Sequence, residues 1–225
     1  MSSGTIAQRV LGIKAEYVSY HYPDREHRRK KLGKPYLDKA VSKDNLFSVG
    51  EVFNHYGIVF FLMYGTLLGA VRENNFIDHD IDTEIGIFEE DKEKLINALK
   101  TLLSVGFDLI RANYPDDVVT IMRSDEIIDI GIFRCEKDRN GVDYRVYQHN
   151  REYFLSPNRL IPFNFLGRDF LIPLDPEKYL VQWYGEDWRV PKMNASAWPY
   201  NYPDWKKKLH RVPSIISLYK WLKNR

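Results

Sequence analysis

Three carboxylates alternate along residues 79–86, which read H-D-I-D-T-E-I-G. Side chains in a β-strand point to alternate faces, so a strand here would place Asp80, Asp82 and Glu84 on one face in steps of ~7 Å. Carboxylates arranged in this way repel one another. A hard divalent cation, Mg²⁺ or Mn²⁺, would relieve the repulsion because it binds compact sets of oxygen ligands. The segment therefore predicts a metal site, and the alternative is a solvent-facing acidic strand edge.

A fourth acid, Asp129, interrupts the apolar run of residues 126–133, E-I-I-D-I-G-I-F. The run predicts a buried strand, and a charged side chain is almost never buried without a partner. A metal held jointly with a neighbouring strand would supply that partner. The alternatives are a helix N-terminus or an arginine. Asp129 thus joins Asp80, Asp82 and Glu84 as a candidate metal ligand.

Gly65 and Thr66 follow the apolar residues 58–63, I-V-F-F-L-M, and precede a predicted helix. A strand that ends in glycine and a small hydroxyl residue before a helix exposes backbone N–H groups to which a phosphate can bind. Arg72 and His79 lie nearby in the sequence and are candidates for contacts with phosphate or acceptor. Arginine suits the bidentate geometry of phosphate oxygens, whereas a structural hydrogen bond is the alternative role for His79.

Hydrophobic spacing and turn residues predict the elements that must position these side chains. Asp44 is predicted to cap a helix that ends before Gly57. The other predicted elements are, in chain order, a strand at 58–63, a short helix at 67–72, a strand at 80–88, a helix at 89–105, strands at 118–122 and 126–133, a hairpin turn at Asn140-Gly141, a hairpin of 160–165 with 170–172, and helices at 175–183 and 214–224. Strands and helices mix without regular alternation. We therefore predict an α+β fold, a mixed β-sheet flanked by helices with an extra hairpin region and a helical C-terminal part.

Composition sets the broad class of the protein. The chain has 225 residues, 44% hydrophobic and 28% charged, as is ordinary for a soluble globular domain. We expect a single domain over 1–225, with a basic arm at 1–43, a core at 44–192 and an aromatic, proline-rich tail at 193–225. The one cysteine, Cys135, excludes an intrachain disulfide. No stretch has the length and apolarity of a signal peptide or a membrane span, so a cytoplasmic location is expected.

A basic run between Arg25 and Lys34 holds six basic residues and one acid. It is either a solvated face or a patch for phosphate-bearing acceptors or an anionic membrane surface. A nucleic-acid partner is not expected because no nucleic-acid-binding module accompanies the run. The basic amphipathic segment 214–224 offers a second peripheral membrane contact, with packing on the domain as the alternative.

The motifs together resemble the LicD/fukutin family of the nucleotidyltransferase-fold superfamily. The resemblance rests on Y-G-T-L-L-G-A-V-R at 64–72, on F-I-x-H-D-x-D at 76–82, on Ile128-Asp129 and on a block at 173–191. It covers roughly residues 55–192. This sequence departs from the family at Asp78, where many members have proline, and at Glu84, where aspartate is usual. Glu84 is one methylene longer, which makes its role as a direct ligand less secure than that of its neighbours.

The resemblance implies Mg²⁺-dependent transfer of a phospho-alcohol, of the phosphoribitol, phosphoglycerol or phosphocholine type, from a CDP-activated donor to a glycan hydroxyl with release of CMP. The implied catalytic residues are Asp80, Asp82 and Asp129. Tyr184 and Trp188 are expected to shape a substrate pocket. Two alternatives stay open: a nucleotidyltransferase that uses a nucleoside triphosphate and releases pyrophosphate, and a non-catalytic glycan-binding relative.

Overall fold

The computed structural model describes residues 6–12, 18–19, 36–113, 118–141, 143–147, 150–152 and 159–192. Its helices are α1 (Ile6–Leu11), α2 (Lys39–His55), α3 (Tyr64–Glu73), α4 (Lys92–Ser104) and α5 (Pro176–Tyr184), with a 3₁₀ turn at Glu89–Asp91 before α4. Its strands are β1 (Val18–Ser19), β2 (Phe60–Leu62), β3 (Thr83–Phe88), β4 (Asp108–Asn113), β5 (Val118–Arg123), β6 (Glu126–Lys137), β7 (Asp143–Tyr147), β8 (Asn150–Glu152), β9 (Leu160–Phe165) and β10 (Arg168–Pro173). None of the helices in these ranges is long and apolar enough to cross a membrane.

The strands form one mixed sheet in the order β1-β4-β5-β6-β3-β2-β10-β9, and β7 and β8 continue from β6. The pairs β3–β6 and β2–β10 are parallel, and the other pairs are antiparallel. Two predicted hairpins are confirmed, since β6 pairs with β7 across a turn that contains Asn140-Gly141 and β9 pairs with β10. The predicted α+β class with a mixed sheet and flanking helices is therefore confirmed.

The chain divides after Pro176 into two compact units. The first unit holds the whole sheet. In the second, Tyr179, Leu180 and Trp183 are buried. The arrangement of residues 1–225 as a single domain stays a prediction, as does a role for the basic run and for the helix at 214–224, both of which lie outside the described residues.

Helix α2 covers one face of the sheet in the first unit. Arg123 of β5 donates from Nε to Asn45 Oδ1 at 2.8 Å and from Nη2 to Ser48 Oγ at 2.8 Å, both on α2. Its guanidinium also lies over the Phe107 ring, 4.3 Å from the centroid. Because alternate residues of a strand face opposite ways, Ile121 shares this covered face and Thr120 faces the other side of the sheet.

The prediction that Asp44 caps α2 is wrong, because the helix begins more than one turn earlier. Asp38 is the N-cap, and its Oδ1 accepts hydrogen bonds from the Ala40 and Val41 amides at 3.0 and 3.2 Å. The Asp38 amide is in turn bound by Glu126 Oε1 at 3.0 Å. Asp44 is exposed within the helix. The N-cap is thus Asp38, the earlier of the two acidic residues, whose amide also makes a long-range contact with Glu126.

Two further boundaries differ from the prediction. Helix α3 begins at Tyr64, so the residues predicted to break the preceding strand already form its first turn. The strand predicted over 80–88 begins only at Thr83, because the Asp80 amide closes a turn on the Ile77 carbonyl at 3.1 Å. Strands β1, β4 and β8 were not predicted. In β4 a register irregularity between Leu109 and Arg111 breaks the alternation by which a strand is recognised.

Replacing Asp38 by alanine should lower the free energy of unfolding by about 1 kcal/mol, because two amides of the first turn lose their acceptor. Urea unfolding followed by circular dichroism measures the loss. Asp44→Ala is the matched control and should change stability by less than about 0.5 kcal/mol. Equal losses in the two variants would contradict the assignment of the cap.

Candidate functional site

Four side chains lie in one row across the sheet, on the face opposite to α2. Glu84 of β3 pairs in register with Asp129 of β6, Asp129 pairs with Thr120 of β5, and Thr120 pairs with Arg111 of β4. Directly paired residues on adjacent strands share a face and stand close together. The row therefore joins two of the candidate carboxylates to a hydroxyl and a guanidinium that the sequence analysis did not identify.

Asp129 has partners within the protein. Thr120 Oγ1 donates to Asp129 Oδ1 at 2.5 Å and accepts from Arg111 Nε at 3.1 Å. Arg111 Nη2 also lies 3.6 Å from Asp129 Oδ2. The carboxylate is buried, so these contacts provide the compensation that a buried charge requires. The arginine considered as an alternative partner is thus present, and a metal is not needed to account for the burial of Asp129.

Glu84 binds the first turn of α3. The Gly65 amide donates to Glu84 Oε2 at 2.8 Å, and the Glu84 amide donates to Thr66 Oγ1 at 2.8 Å. Tyr64, the first residue of the helix, has a positive φ of 45°, a conformation that costs a non-glycine residue free energy and is common at functional sites. A carboxylate is favoured at this end of a helix dipole. The amide predicted to bind a phosphate is therefore bonded to Glu84 in this structure.

Asp80 and Asp82 join the cluster from the turn before β3. The prediction that all three acids lie on one strand is wrong, because only Glu84 belongs to it. Asp80 nevertheless reaches the same place: a Cβ built on Gly65 would lie 2.6 Å from Asp80 Oδ2 and 3.1 Å from Glu84 Oε2. The Leu37 amide holds the Asp80 carbonyl at 2.9 Å. Asp82 is buried, and its charge contributes to the raised pKa of Glu84, after burial. Because Gly65 has no side chain, the carboxylates of Asp80 and Glu84 can approach the start of α3.

The electrostatics of the cluster are unfavourable for its charged form. Burial raises the pKa of the Glu84 carboxyl well above its usual range, and the charges of Asp82 and Asp80 raise it further. Asp129 adds a smaller effect in the same direction, while the Gly65 amide acts against it. Glu84, which the sequence made a less secure ligand than its neighbours, therefore interacts with both the other acids and the start of α3. Its side chain, one methylene longer than that of aspartate, reaches the Gly65 amide.

An aromatic wall adjoins the carboxylates. Two residues beyond Glu84 and Asp129, Gly86 and Gly131 pair in register, and rings occupy the space that their side chains would fill. Tyr147 lies over Gly131 and stacks on Phe133, with centroids 4.9 Å apart. Burial, followed by the charges of Asp129 and Glu84, raises the pKa of Tyr147 far above its usual value. Tyr147 was not predicted from the sequence, because its closeness to the carboxylates depends on the pairing of β7 with β6.

The donor set suits a hard divalent cation. Its atoms are carboxylate oxygens, which Mg²⁺ and Mn²⁺ prefer. Burial is the main cause of the raised pKa of Glu84, and a cation would relieve the repulsion from Asp82 and Asp80 that adds to it. Among the described residues, no group of three or more His, Cys, Asp or Glu side chains already has a metal-binding arrangement. The residues present fit the ion by their chemistry, and metal binding stays a prediction.

The remaining candidate residues lie further from the cluster or in the second unit. Arg72 is in the last turn of α3, about 10 Å along the axis from Gly65, and its Nη2 is 2.6 Å from Glu73 Oε1. His79 is half-buried beside Asp80 in the sequence. Tyr184 ends α5, and Trp188 is buried in the following turn. Substrate contacts by these four residues stay predictions.

Comparisons with known proteins agree with these observations. A family model described as LicD/FKTN/FKRP, nucleotidyltransferase domain, matches residues 57–174, slightly more than half of the chain. An uncharacterized protein of Rickettsia typhi is 28% identical over 152 residues, which cover 66% of this chain and 47% of that protein. The human ribitol-5-phosphate transferase FKTN is 25% identical over 176 residues, which cover 75% of this chain and 36% of FKTN. The chain thus spans less than half the length of these relatives.

Among solved structures, the antibiotic-resistance factor ANT(2'')-Ia in solution is similar over 83% of this chain and 97% of its own, at 13% identity and a TM-score of 0.46. A likeness at this score adds nothing to the family match.

Gly65→Ala should destabilise the protein by about 1 kcal/mol, because the new methyl group would overlap Asp80 Oδ2 and force that carboxylate to turn away. Thermal unfolding measures the change. Gly50→Ala on α2 is the control: its Cβ would meet the Phe60 ring edge at 3.3 Å and the Phe170 ring at 3.9 Å, and alanine favours the helix. If Gly65→Ala were as stable as the wild type, the carboxylates would not converge on this residue.

Thr120→Val should lower the free energy of unfolding by about 1–3 kcal/mol, because Asp129 loses a buried hydrogen-bond donor. Thr83→Val is a matched control on β3. Its hydroxyl is equally buried but has no hydrogen-bond partner among the described residues, so valine should be neutral or stabilising there. Chemical denaturation of both variants decides the point, and a loss in Thr83→Val as large as in Thr120→Val would be the contrary result.

Proposed function

This chain belongs to the LicD/FKTN/FKRP family of nucleotidyltransferase-domain proteins, and from that membership we propose that it transfers a phospho-alcohol unit from a CDP-activated donor to a glycan hydroxyl. Its mixed sheet is the nucleotidyltransferase-like fold that the resemblance predicted. The observation that carries the proposal is the convergence of Glu84 and Asp80 on the start of α3, with Asp82 acting on Glu84 by its charge and Asp129 paired to Glu84 across the sheet. All of these residues lie within the matched segment.

In the proposed reaction, the acceptor hydroxyl oxygen attacks the phosphorus that bears the alcohol. A new P–O bond to the glycan forms, the P–O bond to CMP breaks, and CMP leaves with the electron pair. Attack on the other phosphorus would instead transfer the nucleotide. Phosphoryl transfer of this kind depends on positioning and on stabilisation of charge rather than on covalent chemistry by the protein.

Asp80, Asp82, Glu84 and Asp129 are the side chains that would hold Mg²⁺ or Mn²⁺. When bound, the ion supplies positive charge against the developing charge on the phosphate oxygens. The Gly65 amide and the Thr66 hydroxyl lie at the same helix end, where dipole and N–H groups favour an anion. Glu84 already takes the Gly65 amide, so a phosphate that used this amide would have to displace that carboxylate oxygen.

The proton of the acceptor hydroxyl must pass to a base, for which the sequence left Asp129 and Asp82 open. Asp129 already accepts a hydrogen bond from Thr120 and faces Arg111. These contacts occupy both of its oxygens and hold them in place. We therefore assign the proton to Asp82 and a structural, ligand-holding role to Asp129.

The competing function is nucleotidyl transfer from a nucleoside triphosphate, since the same carboxylates could serve either reaction. A donor panel separates the two. CDP-ribitol, CDP-glycerol and CDP-choline are incubated with the protein and acceptor glycans, with Mg²⁺ or with a chelator, and the products are resolved by chromatography. Mg²⁺-dependent release of CMP supports the proposal. Release of pyrophosphate from a triphosphate, without CMP from any CDP-alcohol, overturns it.

Asp80→Asn and Asp82→Asn should each reduce transfer at least about 100-fold, because charge stabilisation in the site is lost. Both should keep or increase the stability of the metal-free protein, since each removes repulsion with Glu84. Transfer rates and unfolding midpoints are measured on the same preparations. Asp78→Asn is the control, because Asp78 is exposed and ion-paired with Lys39. Activity that survives in both site variants would exclude the proposed roles.

A further inference from the structure

Strand β4 carries a β-bulge beside the carboxylates. Leu109 pairs with Ile121, but Arg111 rather than Ile110 pairs with Thr120. In a regular ladder the next residue, Ile110, would take that position. A bulge inserts one residue, locally re-aims the side chains and is often found next to functional sites. Here it places an arginine in the row that leads through Thr120 to Asp129.

Among the described residues, the partners of the Arg111 guanidinium are Thr120 and Asp129. Nε donates to Thr120 Oγ1 at 3.1 Å, and Nη2 lies 3.6 Å from Asp129 Oδ2. The first contact is a hydrogen bond from one of the five N–H donors that a guanidinium has, and the second is an ion pair. The side chain remains 37% exposed, whereas the Asp129 side chain is 13% exposed. Arg111 therefore lies on the solvent side of the buried carboxylate, with its orientation constrained by two neighbours.

Arg72, the arginine expected from the sequence to contact phosphate, is placed differently. Its guanidinium contacts Glu73 through both Nε and Nη2, and its side chain is only 10% exposed. Arg111 contacts the carboxylate row directly, and Arg72 lies at the far end of α3 from Gly65. Arginine is well suited to phosphate because its planar fork can bind two oxygens at once.

We propose that Arg111 is a phosphate-binding residue of the site, donating to non-bridging oxygens of the donor's diphosphate, and that the bulge in β4 and Thr120 aim it there. The identity of the diphosphate as part of a CDP-alcohol rests on the proposed function. Phosphate binding by Arg111 does not, because it can be measured with inorganic pyrophosphate. If Arg111 only neutralised Asp129, its removal would affect stability and would leave the discrimination between phosphorylated and unphosphorylated ligands unchanged.

The test is calorimetric titration of the whole chain with CDP, cytidine and inorganic pyrophosphate in Mg²⁺ buffer. Arg111→Ala should weaken the affinity for CDP and for pyrophosphate about 10- to 100-fold, the usual range for the loss of a hydrogen bond to a charged group. The affinity for cytidine should not change. Arg111→Gln can keep the bond to Thr120 and should show the same selective loss if the alanine variant is unstable. Arg111→Lys should recover part of the affinity. Arg168→Ala is the control, because Arg168 is an exposed arginine of β10 paired with Glu51, and it should bind like the wild type.

The outcomes are separable. An unchanged ratio of CDP to cytidine affinity in the alanine and glutamine variants overturns the inference, even if both melt at lower temperature. So does a wild-type protein that binds neither CDP nor pyrophosphate. If pyrophosphate binding falls in the Arg111 variants but the wild type releases CMP from no CDP-alcohol, the phosphate site stands and the proposed function fails. If CMP is released and the donor KM does not change in the variants, this inference alone fails.

Discussion

The parallel pairing of β3 with β6 is the constraint on which the site depends. It sets Glu84 opposite Asp129 on one face of the sheet, while the turn before β3 brings Asp80 and Asp82 to the same place. Four carboxylates are thereby brought together, and burial, followed by the charges of Asp82 and Asp80, raises the pKa of Glu84. Hydrogen bonds from Gly65 and Thr120 and the ion pair with Arg111 offset part of the repulsion among the carboxylates.

The surrounding structure is built to keep this arrangement. Gly65 leaves space at the start of α3, and Gly86 with Gly131 lets aromatic rings approach the sheet beside the acids. Burial beside the rings lowers the local dielectric constant, which strengthens both the repulsion among the carboxylates and their attraction to a cation. Unfavourable charge interactions of this kind are typical of functional sites, where residues needed for binding lower the stability of the folded protein. A ligand of opposite charge would neutralise this repulsion, in accordance with the proposed cation site.

Much of this could be predicted from the sequence because the relevant signals are local. The spacing of Asp80, Asp82 and Glu84 indicated convergence, although the geometry was wrong: a turn, not a strand, places the first two. The apolar run around Asp129 correctly predicted a buried strand. The hairpins were recognisable from their turn residues.

What could not be predicted depends on contacts between distant segments. Arg111 joins the site only through a bulge and two strand registers, and neither is visible in the short segment around it. The choice of Asp38 over Asp44 as a helix cap follows from Glu126, which is distant in the sequence. The reach of Glu84 to Gly65 depends on one methylene and on where α3 begins. The types of side chain in the sequence indicated a site of carboxylates and phosphate-binding groups. The register of the strands determined which residues belong to that site.

The claim that these carboxylates form a cation site is tested most directly by titrating Mg²⁺ into the metal-free protein while following its thermal unfolding. The account predicts a saturable rise in melting temperature, because a ligand that binds only the folded state stabilises it, and predicts that Asp82→Asn and Glu84→Gln abolish that rise. A wild-type melting temperature that does not respond to Mg²⁺ or Mn²⁺, or a rise that persists in both variants, would contradict it.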